Sequence, residues 1–297
     1  MPALKLHYRH NHRYEPHYPS HGDIERVASE VRRQLGLSDR RALTIADVAA
    51  ISELNVNGVA YDVWLDLEHQ VHDEQKNPVF GVFEFTPTSS VDAVSVCVSP
   101  ASSGISEELR LSTLAHEMGH AIFDGPSLVS HHQNQPLADL MQTGTVRAFR
   151  LVTETQAQLQ KADTLLPSHI RFAELRANEF MGSLLVPREL LWDAVMEEAP
   201  KHALEIRYGE DTLFAETPDG EKKIVWSEVT YDMDCWSFTR ALAPHFGVTP
   251  AFIEVRMMRY GMISSANRRR WTRLTGSGSF MERSMPPMSM CVVQNRA

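Results

Sequence analysis

The pentapeptide His116-Glu117-Met118-Gly119-His120 carries the strongest chemical signal in the chain. On an α-helix, residues four apart share a face, so both imidazoles can aim at one metal ion. Glu117 lies one step round and can reach a water on that ion. A catalytic zinc takes three protein ligands and keeps one coordination position open. A histidine six residues after His120 is excluded as the third, because Pro126 stands there. His131 and His132 follow Gly125-Pro126 in a segment with no clear helical pattern, and they read as an exposed polar loop. Glu174 is the better candidate. It lies off the apolar stripe of a second helix, with Asn178 four residues later on the same face. An amide at that place can hold a ligating histidine in position. Taken alone, Glu174 reads better as an ordinary solvated glutamate.

These residues need elements to carry them. Leu111, Leu114, Ala115, Met118 and Ile122 predict a helix over 106–123, with Glu107 and Glu108 in its dipole-matched first turn. Ala173, Ala177, Phe180, Met181 and Leu184 predict another over 168–185, and Pro187 opens the next. Before the first of these, Val79–Phe85 and Val94–Val98 read as strands, with Pro87, Ser89 and Ser90 as turn formers between them. An open edge of that pair would suit an extended peptide. Further upstream, Asp23 is the expected N-cap of a helix ending at Gly36, and a second helix is expected over 44–54. Residues 1–22 hold His7, His10, His12, His17 and His21 on no common helix face, and read as a flexible arm rather than a metal tract. A helical stretch is expected over 145–162 and a hairpin over 212–226. Two helices follow, over 235–246 and 250–260, separated by Gly247-Val-Thr-Pro250. The Gly-, Ser-, Met- and Pro-rich end, 276–297, reads as a mobile tail.

Composition bounds the setting. The chain has 297 residues, enough for one large domain or two modest ones. Its net charge of −9 disfavours a surface built to coat nucleic acid. Cys97, Cys235 and Cys291 are odd in number and widely spaced, which suits free thiols in a reducing cytoplasm rather than a disulfide frame. The sequence has no apolar run long enough for a membrane helix and no secretory signal, so no membrane partner is expected.

Leu114-Ala-His-Glu-Met-Gly-His120, followed by Glu174-Leu-Arg-Ala-Asn-Glu-Phe180 and Leu184-Leu-Val-Pro187, closely resembles the ImmA/IrrE family of metallopeptidases. The segments Leu242–Pro250 and Val255–Gly261 resemble that family's downstream helices, so the likeness spans about residues 24–262. Two departures stand out. Asp124 occupies the place, four residues after His120, where members often have histidine. The 53 residues between His120 and Glu174 also exceed the gap of compact members and imply an insertion beside the cleft. The resemblance implies an α+β fold: a zincin-like metallopeptidase core with a small sheet over 23–205, then a mainly helical, helix–turn–helix-like region over 206–275.

The resemblance and the residue chemistry imply one mechanism. His116, His120 and Glu174 would hold Zn²⁺, with Mn²⁺ as a substitute, Asn178 would support a ligand, and Glu117 would be the general base. The implied partner is a protein substrate, a helix-turn-helix repressor whose cleavage releases a stress-response or mobile-element operon. A rival reading comes from residues 256–283, with seven arginines against Glu282 alone. There the metal would be structural, and the C-terminal helices would bind DNA or a partner protein.

Overall fold

The computed structural model describes residues 3–17, 19–73, 76–85, 93–134, 146–151, 168–202, 204–208, 222–225, 231–263 and 291–294. The fold is α+β and divides into two compact units, Met1–Leu185 with Pro287–Ala297, and Val186–Pro286. The division falls inside the region expected to be one domain over 23–205, because the helix carrying Glu174 ends the first unit.

In the first unit five strands run in the order β1-β2-β3-β5-β4. They are β1 (Leu4–Leu6), β2 (Glu53–Val56), β3 (Val59–Asp66), β4 (Val79–Phe85) and β5 (Ala93–Val98). β6 (Val146–Leu151) and β9 (Cys291–Gln294) extend the sheet beyond β4. β2 and β3 form a hairpin with Val56 opposite Val59. Its turn places Asn57 at φ 57° and Gly58 at φ 90°, the left-handed pair that a two-residue hairpin demands. That turn corrects the helix expected over 44–54. The Thr44–Asp47 capping box starts α2, but it spans only Ile45–Ala49 before β2 claims the chain.

The N-terminal segment is not an irregular arm. β1 pairs in parallel with β2, and Gln34 caps its outer edge: Lys5 N donates to Gln34 Oε1 (2.9 Å), and Gln34 Nε2 donates to Lys5 O (2.6 Å). Periodicity misses a three-residue strand whose stability lies in its partners. Helix α1 (His21–Gln34) starts at an N-cap Ser20, with Asp23 at N3 closing a capping box rather than acting as the cap itself.

Helix α3 (Glu107–Phe123), N-capped by Ser106, is buried from Leu111 to Phe123. It lies against β4 and β5, whose Val79, Val94, Val96 and Val98 are buried. Gly81 on β4 makes the approach: a Cβ there would meet Thr113 Cγ2 at 2.5 Å and Glu117 Cγ at 3.2 Å. α4 (Gly125–Gln133) follows, so His131 and His132 end a helix rather than forming a loop. β6 replaces part of the helix expected over 145–162, because its backbone pairs along β4; residues 152–162 lie outside the described residues. β4 thus has a partner on each side, and β5 lies between β3 and β4, so neither strand offers the open edge expected of the pair.

Helix α5 (Ser168–Leu185) packs on both α1 and α3. Buried Arg32 ties it to α1: Nη1 donates to the terminal carbonyl of Leu184 (2.7 Å) and Nη2 donates to Arg40 O. His21 Nδ1 lies 3.2 Å from buried Glu179 Oε2.

The second unit contains α6 (Arg188–Glu198), the antiparallel strands β7 (Glu205–Tyr208) and β8 (Lys222–Val225), α7 (Tyr231–Phe246) and α8 (Pro250–Arg259). The two expected helices are present, joined through Thr249, which N-caps α8. β7 pairs with β8, so the first strand lies before the hairpin expected over 212–226 and only its second strand falls within those bounds; 212–221 lie outside the described residues. Of the arginine-rich run, Arg256 is buried, its guanidinium 4.3 Å from the Tyr260 ring centroid, and Tyr260 donates to Val186 O (2.8 Å). Arg268–Trp271 lies outside the described residues. So does most of the expected mobile tail, apart from the strand β9.

Candidate metal centre

Helix α3 places His116 and His120 on one face, their ring centroids 4.9 Å apart. Bringing Glu174 to them depends on how closely α5 crosses α3. A Cβ on Gly119 would lie 3.0 Å from Ala177 Cα, 3.3 Å from Ala177 O and 3.3 Å from Phe180 Cδ1. The small residues inside the two motifs therefore set the crossing, and the crossing delivers the third donor.

The three donor groups converge, the two imidazoles on each other and each on a different oxygen of the Glu174 carboxylate. His116 Nε2 and His120 Nε2 are 3.2 Å apart, His116 Nε2 to Glu174 Oε2 is 3.4 Å, and His120 Nε2 to Glu174 Oε1 is 3.2 Å. Ligands about 2.0–2.2 Å from a tetrahedral ion sit about 3.3–3.6 Å from one another, and each of these pairwise contacts is close to that spacing. Two imidazole nitrogens and a carboxylate oxygen also suit such an ion chemically. Among the described residues this is the one group of metal-binding type.

The group is buried. His116 and Glu117 are fully buried, His120 is 2% exposed and Glu174 6%. Burial works against the charge on Glu174, but His120 and His116 beside it hold its carboxyl below the ordinary value. Phe83 of β4 stacks on His120, centroids 6.1 Å apart at 22°.

Asp124 lies at the end of α3. His120 Nδ1 is 2.7 Å from its Oδ2, and Arg176 Nη2 donates to its Oδ1 at 2.7 Å. Burial would raise the Asp124 pKa; Arg176 and His120 more than offset it and hold the carboxyl below its usual range. Arg176 stands two positions from Glu174 on α5, a spacing that by itself points it to another face of the helix. Helical position fixes its face but cannot show that Asp124 lies within reach of it. Conversely, Asn178 Oδ1 is buried without a hydrogen bond among the described residues, and the group that contacts His120 Nδ1 is Asp124.

Two tyrosines close the C-terminal end of α3. Tyr61 donates to Ala121 O (2.8 Å), and the Tyr8 hydroxyl lies 3.1 Å from Ile122 O and 3.2 Å from Phe123 O. These carbonyls belong to the last turn of α3, where acceptors otherwise go without intrahelical partners. Burial drives both phenol pKa values up, so both stay protonated donors. No sequence pattern marks either tyrosine, since each acts across a long chain separation.

His131 and His132 are not in the donor group; His132 packs edge-on against Phe85, centroids 5.8 Å apart. No helix among the described residues is long and apolar enough to cross a membrane. The chain matches no family model, no curated protein and no solved structure.

Proposed function

We propose that the chain is a zinc-dependent endopeptidase, with His116, His120 and Glu174 as metal ligands and Glu117 as general base. The carrying observation is the convergence of His116, His120 and the Glu174 carboxylate, with pairwise contacts of 3.2–3.4 Å, from two helices and next to a buried carboxylate one position along. A zinc ion held there supplies a Lewis acid that polarises a peptide carbonyl and acidifies water enough to make it a nucleophile near neutral pH. Glu117 takes the proton from the attacking water and passes it to the departing amine. The motif resemblance supports the ImmA/IrrE assignment and its zincin-like core, a protein substrate of the helix-turn-helix repressor type, and a cytoplasmic setting.

One observation favours a second reading. The ligands and Glu117 are almost inaccessible to solvent, as in a structural metal site, and the chain would then act as a non-proteolytic regulator. A single comparison separates the two readings: wild type and Glu117→Gln, each assayed for bound metal and for cleavage of a co-encoded repressor with Zn²⁺ or Mn²⁺ supplied. The peptidase reading expects equal metal in both and cleavage by wild type alone. Binding of the repressor by both, with cleavage by neither, selects the structural reading.

A further inference from the structure

A histidine that ligates metal through Nε2 must carry its neutral-state proton on Nδ1, and something has to hold it there. In this chain the partner of His120 Nδ1 is Asp124 Oδ2 at 2.7 Å. Asp124 also accepts from Arg176 Nη2 at 2.7 Å, and an ionised carboxylate can only accept, so the shared proton belongs to His120. The side chains of Asp124 and Arg176 are 23% and 14% exposed, so the bonds are only partly screened by water. Arg176 lies two residues from Glu174 on α5, while Asp124 caps α3. The chain of bonds therefore runs from the helix that carries His116 and His120 to the helix that carries Glu174.

We propose that Asp124 and Arg176 form a positioning pair that fixes His120 as the Nδ1–H tautomer and directs Nε2 into the metal position. The metal half of this inference rests on the proposed metal site; the tautomer half does not. Asp124 sets the proton and the ring angle, and Arg176 orients Asp124 and keeps it an acceptor. One helix thus supplies a ligand directly and governs a second ligand through Arg176.

The test uses full-length ¹⁵N-labelled protein, first without metal and then titrated with Zn²⁺ against a chromophoric chelator. Long-range ¹H–¹⁵N spectra read the protonation of each ring nitrogen. Wild type should show His120 Nδ1 protonated, a proton protected from exchange. Asp124→Ala should lose that protection and bind Zn²⁺ about 10- to 100-fold more weakly. Asp124→Asn provides the second variant should the alanine fail to fold, with a loss near the lower end of that range. Arg176→Gln should weaken binding in the same direction, and Arg176→Lys should recover part of it, which a purely structural role would not do. An unprotonated Nδ1 in wild type, or unchanged Zn²⁺ affinity in folded Asp124 variants, overturns the proposal. A protected Nδ1–H in a wild-type protein that binds no metal supports the tautomer assignment while sinking the metal reading.

Discussion

Gly119→Ala is the most direct probe of how the donor group is built. The new Cβ would lie 3.0 Å from Ala177 Cα, against about 3.5–4.0 Å for a relaxed carbon–carbon contact. The obstacle is backbone, so no side-chain rotation relieves it, and α3 and α5 must part locally by roughly 0.5–1 Å. Overpacking of this kind costs about 1–3 kcal/mol. Alanine returns about 1 kcal/mol through its better helix propensity, leaving a net loss of roughly 0–2 kcal/mol. The metal site should suffer more than the fold. Ligand distances tolerate about ±0.2 Å, and the crossing that moves is the one that holds Glu174 3.2–3.4 Å from the histidines. Zn²⁺ affinity should therefore fall at least about tenfold, comparable to losing a supporting group. Urea unfolding followed by circular dichroism reads the first quantity, and chelator competition reads the second. A variant stabilised by about 1 kcal/mol with wild-type Zn²⁺ affinity would show that this glycine does not limit the crossing.

Two further outcomes concern the supports around the site. Tyr61→Phe should cost about 1–3 kcal/mol in urea unfolding, because the carbonyl of Ala121 loses its buried donor; a loss under about 0.5 kcal/mol would show that another group takes over. Asp47 tests the acid limb. Burial opposes its charge, but hydrogen bonds from the Thr44 hydroxyl and backbone and the nearby Arg40 lower its pKa in the fold. The unfolded chain then binds the extra proton, so the stabilisation is complete above the unfolded value of about 3.9 and is lost as pH falls through the folded one. Asp47→Asn should flatten melting temperature against pH over that range, and an unchanged slope would remove Asp47 as a source.

Much of the site was legible because its signals are local. The four-residue spacing of His116 and His120 needs only helical periodicity, and the apolar stripes placed α3 and α5 within a residue of their observed limits. Strands β4 and β5 were equally visible, as β-branched and aromatic runs bounded by turn formers. Elements held by their partners were not. β1 has three residues, its inward edge on β2 and its outward edge on Gln34. β6 lies where helix was expected, since pairing along β4 overrides a weak local preference.

The sequence alone determined the donor types and the joint face of the two histidines, because a helix repeats every 3.6 residues wherever it lies. It also marked Glu174 and Asn178 as candidates on one helix face. Only the tertiary structure distinguished them, bringing Glu174 to the histidines and leaving support of His120 to Asp124 and Arg176. The physical reason is distance along the chain. Glu174 meets His116 across more than fifty residues, and the spacing between them is fixed where Gly119 lies against Ala177, a contact that neither helix encodes by itself.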